Sequence, residues 1–130
     1  MAKILIIDDD SESREMLKFR LEKAGHQVAE AANGEDGIQR AQMNPPDLVL
    51  LDILIPRMDG WKVCQNLKTH EKTKSIPVII FTSLEQHLHE LHSWECGADG
   101  FVTKPFDPAQ LLETMDKFLA KPTPKKGMTP

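Results

Sequence analysis

Along this chain short apolar runs alternate with segments whose apolar residues recur at helical spacing. Runs from Lys3 to Asp8, Gln27 to Ala31, Leu48 to Asp52, Val78 to Phe81 and Phe101 to Thr103 predict five strands. Between and after them, helical periods predict helices over Glu12 to Ala24, Glu35 to Gln42, Trp61 to Lys68, Leu84 to Cys96 and Pro108 to Leu119. The first puts Leu17, Leu21 and Ala24 on one face, with Gly25 as a left-handed stop. The second must end before Pro45 and Pro46, and the third offers Val63, Cys64 and Leu67 to a core. The last starts with proline in its first turn and lines up Leu111, Leu112, Met115 and Leu119. Strand and helix in alternation are the signature of an α/β fold, a parallel sheet covered on both faces. The run QVAEA is the least apolar of the strands, which suits a sheet edge.

In open parallel sheets, ligands bind outside the carboxyl ends of the strands, where the loops converge. The predicted strands end on Asp8, Asp9 and Asp10; on Asp52; on Thr82 and Ser83; and on Thr103 and Lys104. Gathered carboxylates repel one another and either take up protons or recruit a hard cation. Magnesium fits, since it takes oxygen ligands and is held by one or two carboxylates together with a phosphate. A hydroxyl and an ammonium opposite the acids suit phosphoryl oxygens. Asp52, carried out of the greasy run LVLLD, then reads as a nucleophile for a phosphoryl group.

Four segments, ILIIDDD, LVLLDILIPRMDG, VIIFTS and GADGFVTKPF, in this order and spacing, resemble the receiver domain of two-component response regulators. The resemblance covers about residues 2 to 120. It implies a flavodoxin-like, doubly wound, five-stranded parallel sheet in the order 2-1-3-4-5 with five helices; such sheets bind their ligands at the carboxyl ends of the strands. It implies Asp52 as phosphoacceptor, Asp8 and Asp9 as the acidic pair for Mg2+, and the backbone carbonyl of Leu54 as a further metal ligand. Thr82 matches the switch hydroxyl, Lys104 the phosphate-binding lysine and Phe101 the aromatic that reorients on activation. The donor implied is a histidine kinase or a histidine phosphotransfer protein. The reader implied is a downstream protein or output domain facing the fourth helix, fifth strand and fifth helix, with a homodimer through that face as one form. Such a domain supports its own phosphorylation and dephosphorylation at Asp52 but is not a stand-alone enzyme. Leu54 and Leu84 are apolar where many relatives carry a polar group that meets the attacking water, so slowed hydrolysis is expected.

Rival readings of the same residues are weaker. Asp10 or Ser11 serves equally as a cap of the first helix, and Thr82 and Ser83 each head a capping-box pattern. A phosphatase of the haloacid dehalogenase type would use Asp8 and Asp10 as its Asp-x-Asp pair. It needs a further acidic pair after the lysine, where this chain has only Asp107, and it leaves Asp52 without a role. His89, His92 and Cys96 fall at helical spacings that suit a soft metal, but no second ligand segment accompanies them.

Charge and composition narrow the picture further. The chain of 130 residues carries a net charge of −4, and three lysines of residues 121–130 leave the remainder near −7. That body repels a nucleic-acid backbone. Residues 1–120 are read as one domain and 121–130 as a disordered tail or the start of a linker. No apolar run is long enough to span a bilayer, and the start lacks a cleavage signal, so a cytoplasmic location and no membrane partner are expected. Cys64 and Cys96 read as separate thiols.

Overall fold

Apart from Lys3 at the start of the first and Thr82 at the end of the last, the runs KILII, LVLL and VIIFT are apolar at every second position and at the positions between, so each strand must be covered on both faces. The computed structural model, which describes residues 2–52, 60–82, 97–103 and 107–119 (without the side chains of Thr82, Thr103 and Pro108), shows how this is met. The elements are β1 (Lys3–Ile7), α1 (Ser11–Lys23), β2 (Gln27–Ala31), α2 (Gly34–Met43), β3 (Leu48–Leu51), α3 (Gly60–Thr69), β4 (Val78–Thr82), β5 (Gly100–Thr103) and α4 (Pro108–Leu119). All strand pairs are parallel, and the sheet order is β2-β1-β3-β4-β5, the flavodoxin-like order. Helix α4 is the fifth of those expected; the one expected over Leu84–Cys96 lies outside the described residues.

Alternation along each strand sorts the core into two layers. Leu5, Ile7, Val49, Leu51, Val78 and Ile80 point to the face covered by α2 and α3, where Ala41, Val63, Cys64 and Leu67 meet them. Ile4, Ile6, Leu48, Leu50, Ile79 and Phe81 point the other way, onto Leu17 and Leu21 of α1 and Leu111 and Met115 of α4. Each such side chain contributes about 1.5–3 kcal/mol on full burial. Edge strand β2 keeps only Ala31 fully buried, as its weak apolar pattern foretold.

Local signals set the ends of the helices. Asp10 caps α1, its carboxylate accepting the Glu12 N–H, and Asn33 caps α2 by accepting from Asp36. At the end of α1, Gly25 adopts φ 97°, the left-handed stop expected there. Ala24 does not join the core. It is the C-cap of α1, where the chain leaves the helix, and it is exposed. Gly37 packs so closely on β1 that a Cβ there would stand 2.4 Å from Ile7 Cδ1. At the far end of the sheet, Lys68 Nζ donates to Asp99 Oδ2 and to the Ile76 carbonyl, both at 2.8 Å, and the same Asp99 oxygen accepts from the Val78 N–H. This clasp joins α3 to the entry of β4 and β5.

Candidate phosphoryl-acceptor site

Register alone brings the candidate residues to one edge. Ile7, the last residue of β1, pairs with Leu51, the last of β3, so Asp8 and Asp52 leave the sheet side by side. Leu51 pairs in turn with Ile80, and two residues further Thr82 pairs with Thr103 across β4 and β5. The expected strands ran one residue further, through Asp8 and Asp52. Both residues do keep a ladder-like bond: the Asp8 N–H donates to the Ala31 carbonyl at 3.1 Å and the Asp52 N–H to the Ile7 carbonyl at 2.9 Å. Their carboxylates are therefore carried on backbone as fixed as the sheet itself.

Asp8 is fully buried, Asp52 is 6% exposed and Asp9 faces solvent. Each offers a carboxylate oxygen within 4.8 Å of those of the other two. Asp8 is held on three sides: by the Ala31 carbonyl at its N–H, by Arg14 Nη1 donating to its carbonyl at 2.6 Å, and by the Asp10 N–H donating to its Oδ1 at 3.0 Å. Asp10 follows the first two of these acids in sequence but turns back to cap α1. The second acid of the Asp-x-Asp pair that the phosphatase reading needs is thereby committed elsewhere.

Burying carboxylates this close is costly unless a cation joins them. The donor set fits magnesium. It is all oxygen, and an octahedral ion with bonds of about 2.1 Å spans about 4.2 Å between opposite ligands, which is compatible with oxygens that all lie within 4.8 Å of one another. Asp8, Asp9 and Asp52 could hold such an ion, with water filling the remaining positions.

The response regulator receiver domain family matches residues 4–116, almost the whole of the described fold. The chain belongs to this family. Receiver domains are signalling domains of two-component systems rather than enzymes in the ordinary sense. Protein PilH of Pseudomonas aeruginosa is 41% identical over 120 residues, covering 92% of this chain and 99% of that protein. The DNA-binding dual master transcriptional regulator RpaA of Synechocystis is 39% identical over 121 residues, 93% of this chain but 50% of that protein. This receiver thus spans about half the length of RpaA and nearly all of PilH. Among solved structures, a response regulator of Chloroflexus aurantiacus superposes with a TM-score of 0.88 at 34% identity, over 92% of this chain and 98% of its own. Chemotaxis protein CheY4 of Vibrio cholerae superposes at 0.86 with 30% identity, over 92% and 99%.

Of the residues predicted for the receiver site, Asp8, Asp9 and Asp52 are brought together. Thr82 is placed by its backbone at the end of β4, and Phe101 is partly buried on β5 against the layer that holds Ile80. Leu54, Lys104, Ser83, Leu84 and the trio His89, His92 and Cys96 lie outside the described residues. Cys64 is a buried free thiol. No described helix is long and apolar enough to cross a membrane. Arg14 and its partner Glu30 went unseen in the sequence reading. Their contacts join α1 to β2 and to the loop after β1, and no local pattern encodes them; an arginine one turn past an acidic run was the only signal available.

Proposed function

We propose that this receiver takes a phosphoryl group from the phosphohistidine of a histidine kinase or phosphotransfer protein onto Asp52. The observation that carries the reading is the gathering of Asp8, Asp9 and Asp52 at the carboxyl edge of the sheet, their ligand oxygens within 4.8 Å. In the transfer, an Asp52 oxygen attacks phosphorus, the P–N bond breaks and the imidazole nitrogen keeps the electron pair and takes a proton. The product is an acyl phosphate on Asp52. Magnesium held by Asp8, Asp9 and Asp52, with the Leu54 carbonyl as a further ligand, supplies positive charge that offsets repulsion between the acceptor and an anionic donor. Lys104 and Thr82 bind the oxygens of the arriving group. An exposure of 6% leaves the Asp52 carboxylate in reach of a docked donor while its backbone stays tied to β1.

The new charge also makes the signal. Thr82 moves toward it and Phe101 turns into the space released, changing the surface of β5 and α4. A downstream protein, an output domain or a second copy of the chain reads that surface. Moving such a two-state element from 1:99 to 99:1 requires about 5.5 kcal/mol of differential stabilisation. Kinase donors of this class work inside the cell, which places the domain in the cytoplasm. We take residues 1–120 as the receiver domain and 121–130 as a tail or the start of a linker.

The test is incubation of the folded protein with a small acyl phosphate and magnesium, followed by intact mass and peptide mapping. One phosphoryl group on Asp52, absent in Asp52→Asn, is the expected result. An unmodified wild type, or a group mapped to Asp8, would refute the proposal.

A further inference from the structure

Arg14 sits in the first turn of α1, its own N–H bonded to the Asp10 carbonyl at 3.0 Å, and its side chain folds back over the loop that carries the acids. The guanidinium is forked. Nη1 donates to the Asp8 carbonyl at 2.6 Å, and Nε pairs with Glu30 Oε1 on β2 at 3.1 Å. Glu30 is steadied in turn by Lys18, its Oε2 lying 3.5 Å from Nζ. The Arg14 side chain is only 17% exposed, so the fork is largely shielded from water.

The consequence falls on the peptide between Asp8 and Asp9. With the Asp8 N–H held by Ala31 on one side of its Cα and its carbonyl held by Arg14 on the other, both peptide planes that flank Asp8 are tied, and the two acids take their direction from them. We propose that Arg14 is a positioning residue for the carboxylates that hold magnesium, acting through the Asp8 carbonyl and braced by Glu30. The proposal rests on the reading that Asp8, Asp9 and Asp52 hold that ion.

Charge and geometry predict opposite signs here, which makes the role testable. A cation beside a cation site lowers its affinity for magnesium, so by charge alone removing Arg14 tightens binding. By positioning, removing it loosens binding, since groups that orient metal ligands typically govern a factor of about 10 to 100 in affinity. A merely structural ion pair would lower the melting temperature and leave the affinity of the folded protein unmoved.

The experiment is calorimetric titration of the full chain with MgCl2, with melting curves in EDTA run beside it. Arg14→Gln is expected to weaken magnesium binding about tenfold. Arg14→Lys keeps the charge, but one ammonium cannot serve both the Asp8 carbonyl and Glu30 in the forked geometry, so roughly threefold weakening is expected. Tighter or unchanged binding in Arg14→Gln overturns the proposal, as does wild-type affinity in Arg14→Lys, because charge would then suffice. Should Arg14→Gln not fold, the lysine variant decides alone. A wild type that binds no magnesium sinks the metal reading itself, and the positioning role with it.

Discussion

Replacing Asp8 by asparagine should make the metal-free protein more stable. Asp8 is fully buried, Asp52 nearly so, and their carboxylate oxygens lie within 4.8 Å. At an effective dielectric of about 20, two unit charges no more than 4.8 Å apart repel by at least about 3.5 kcal/mol. Asparagine keeps an oxygen for the Asp10 N–H and nearly the same volume, so the bond that holds the loop survives. Side-chain relaxation and repulsion retained by the unfolded chain reduce the gain to about 2 kcal/mol, or roughly 6 to 10 °C in melting temperature for a domain of this size. Magnesium should reverse the order. Wild type gains about 2.7 kcal/mol at a metal concentration 100 times its dissociation constant, while Asp8→Asn, short of a ligand, gains little. Circular dichroism melts at pH 7.5 and low salt, in EDTA and in MgCl2, measure both effects. A variant less stable than wild type in EDTA, with an undiminished response to magnesium, would show that the Asp8 charge serves the fold and not an ion.

Two further substitutions probe the support of the site and the life of its product. Gly37→Ala should destabilise by about 1 kcal/mol in urea denaturation, because crowding of Ile7 at about 1–3 kcal/mol outweighs the gain of about 1 kcal/mol from alanine in a helix. Adding Ile7→Val deletes the Cδ1 atom at 2.4 Å, so the double variant should lose less than the sum of the singles; strict additivity would refute the contact. Leu54→Asn should shorten the lifetime of phosphorylated Asp52 by giving the attacking water a polar partner, read as loss of the phosphoryl mass with time; equal lifetimes would remove the shielding role of Leu54.

What the sequence made legible follows from how local each cause is. Period and run length located the strands because every residue of KILII and LVLL after Lys3 is buried, and a strand buried on both faces has no other way to be written. A cap and a glycine located the ends of α1 to within a residue or two, since Asp10 and Gly25 act on their own neighbours. Ala24 misled because periodicity extends past the point where the chain turns out of the helix; only the cap geometry shows the break. The acids of the site were legible because strand ends in a parallel sheet share an edge.

The long-range polar contacts were not legible, and the reason is physical. Arg14 to Asp8 and Glu30, and Lys68 to Asp99, depend on where α1 lies over β2 and where α3 ends beside β4. Those placements come from core packing, from Leu17 and Leu21 on one layer and Val63 and Leu67 on the other, not from the polar residues themselves. The apolar pattern therefore does two things at once. It sets the register that brings Asp8 beside Asp52, and it docks the helices whose charged side chains then hold the carrying loop in one direction. An ion that needs near-octahedral oxygen ligands demands both, because a pair of acids brought close but left free to swing would spend its affinity on being ordered.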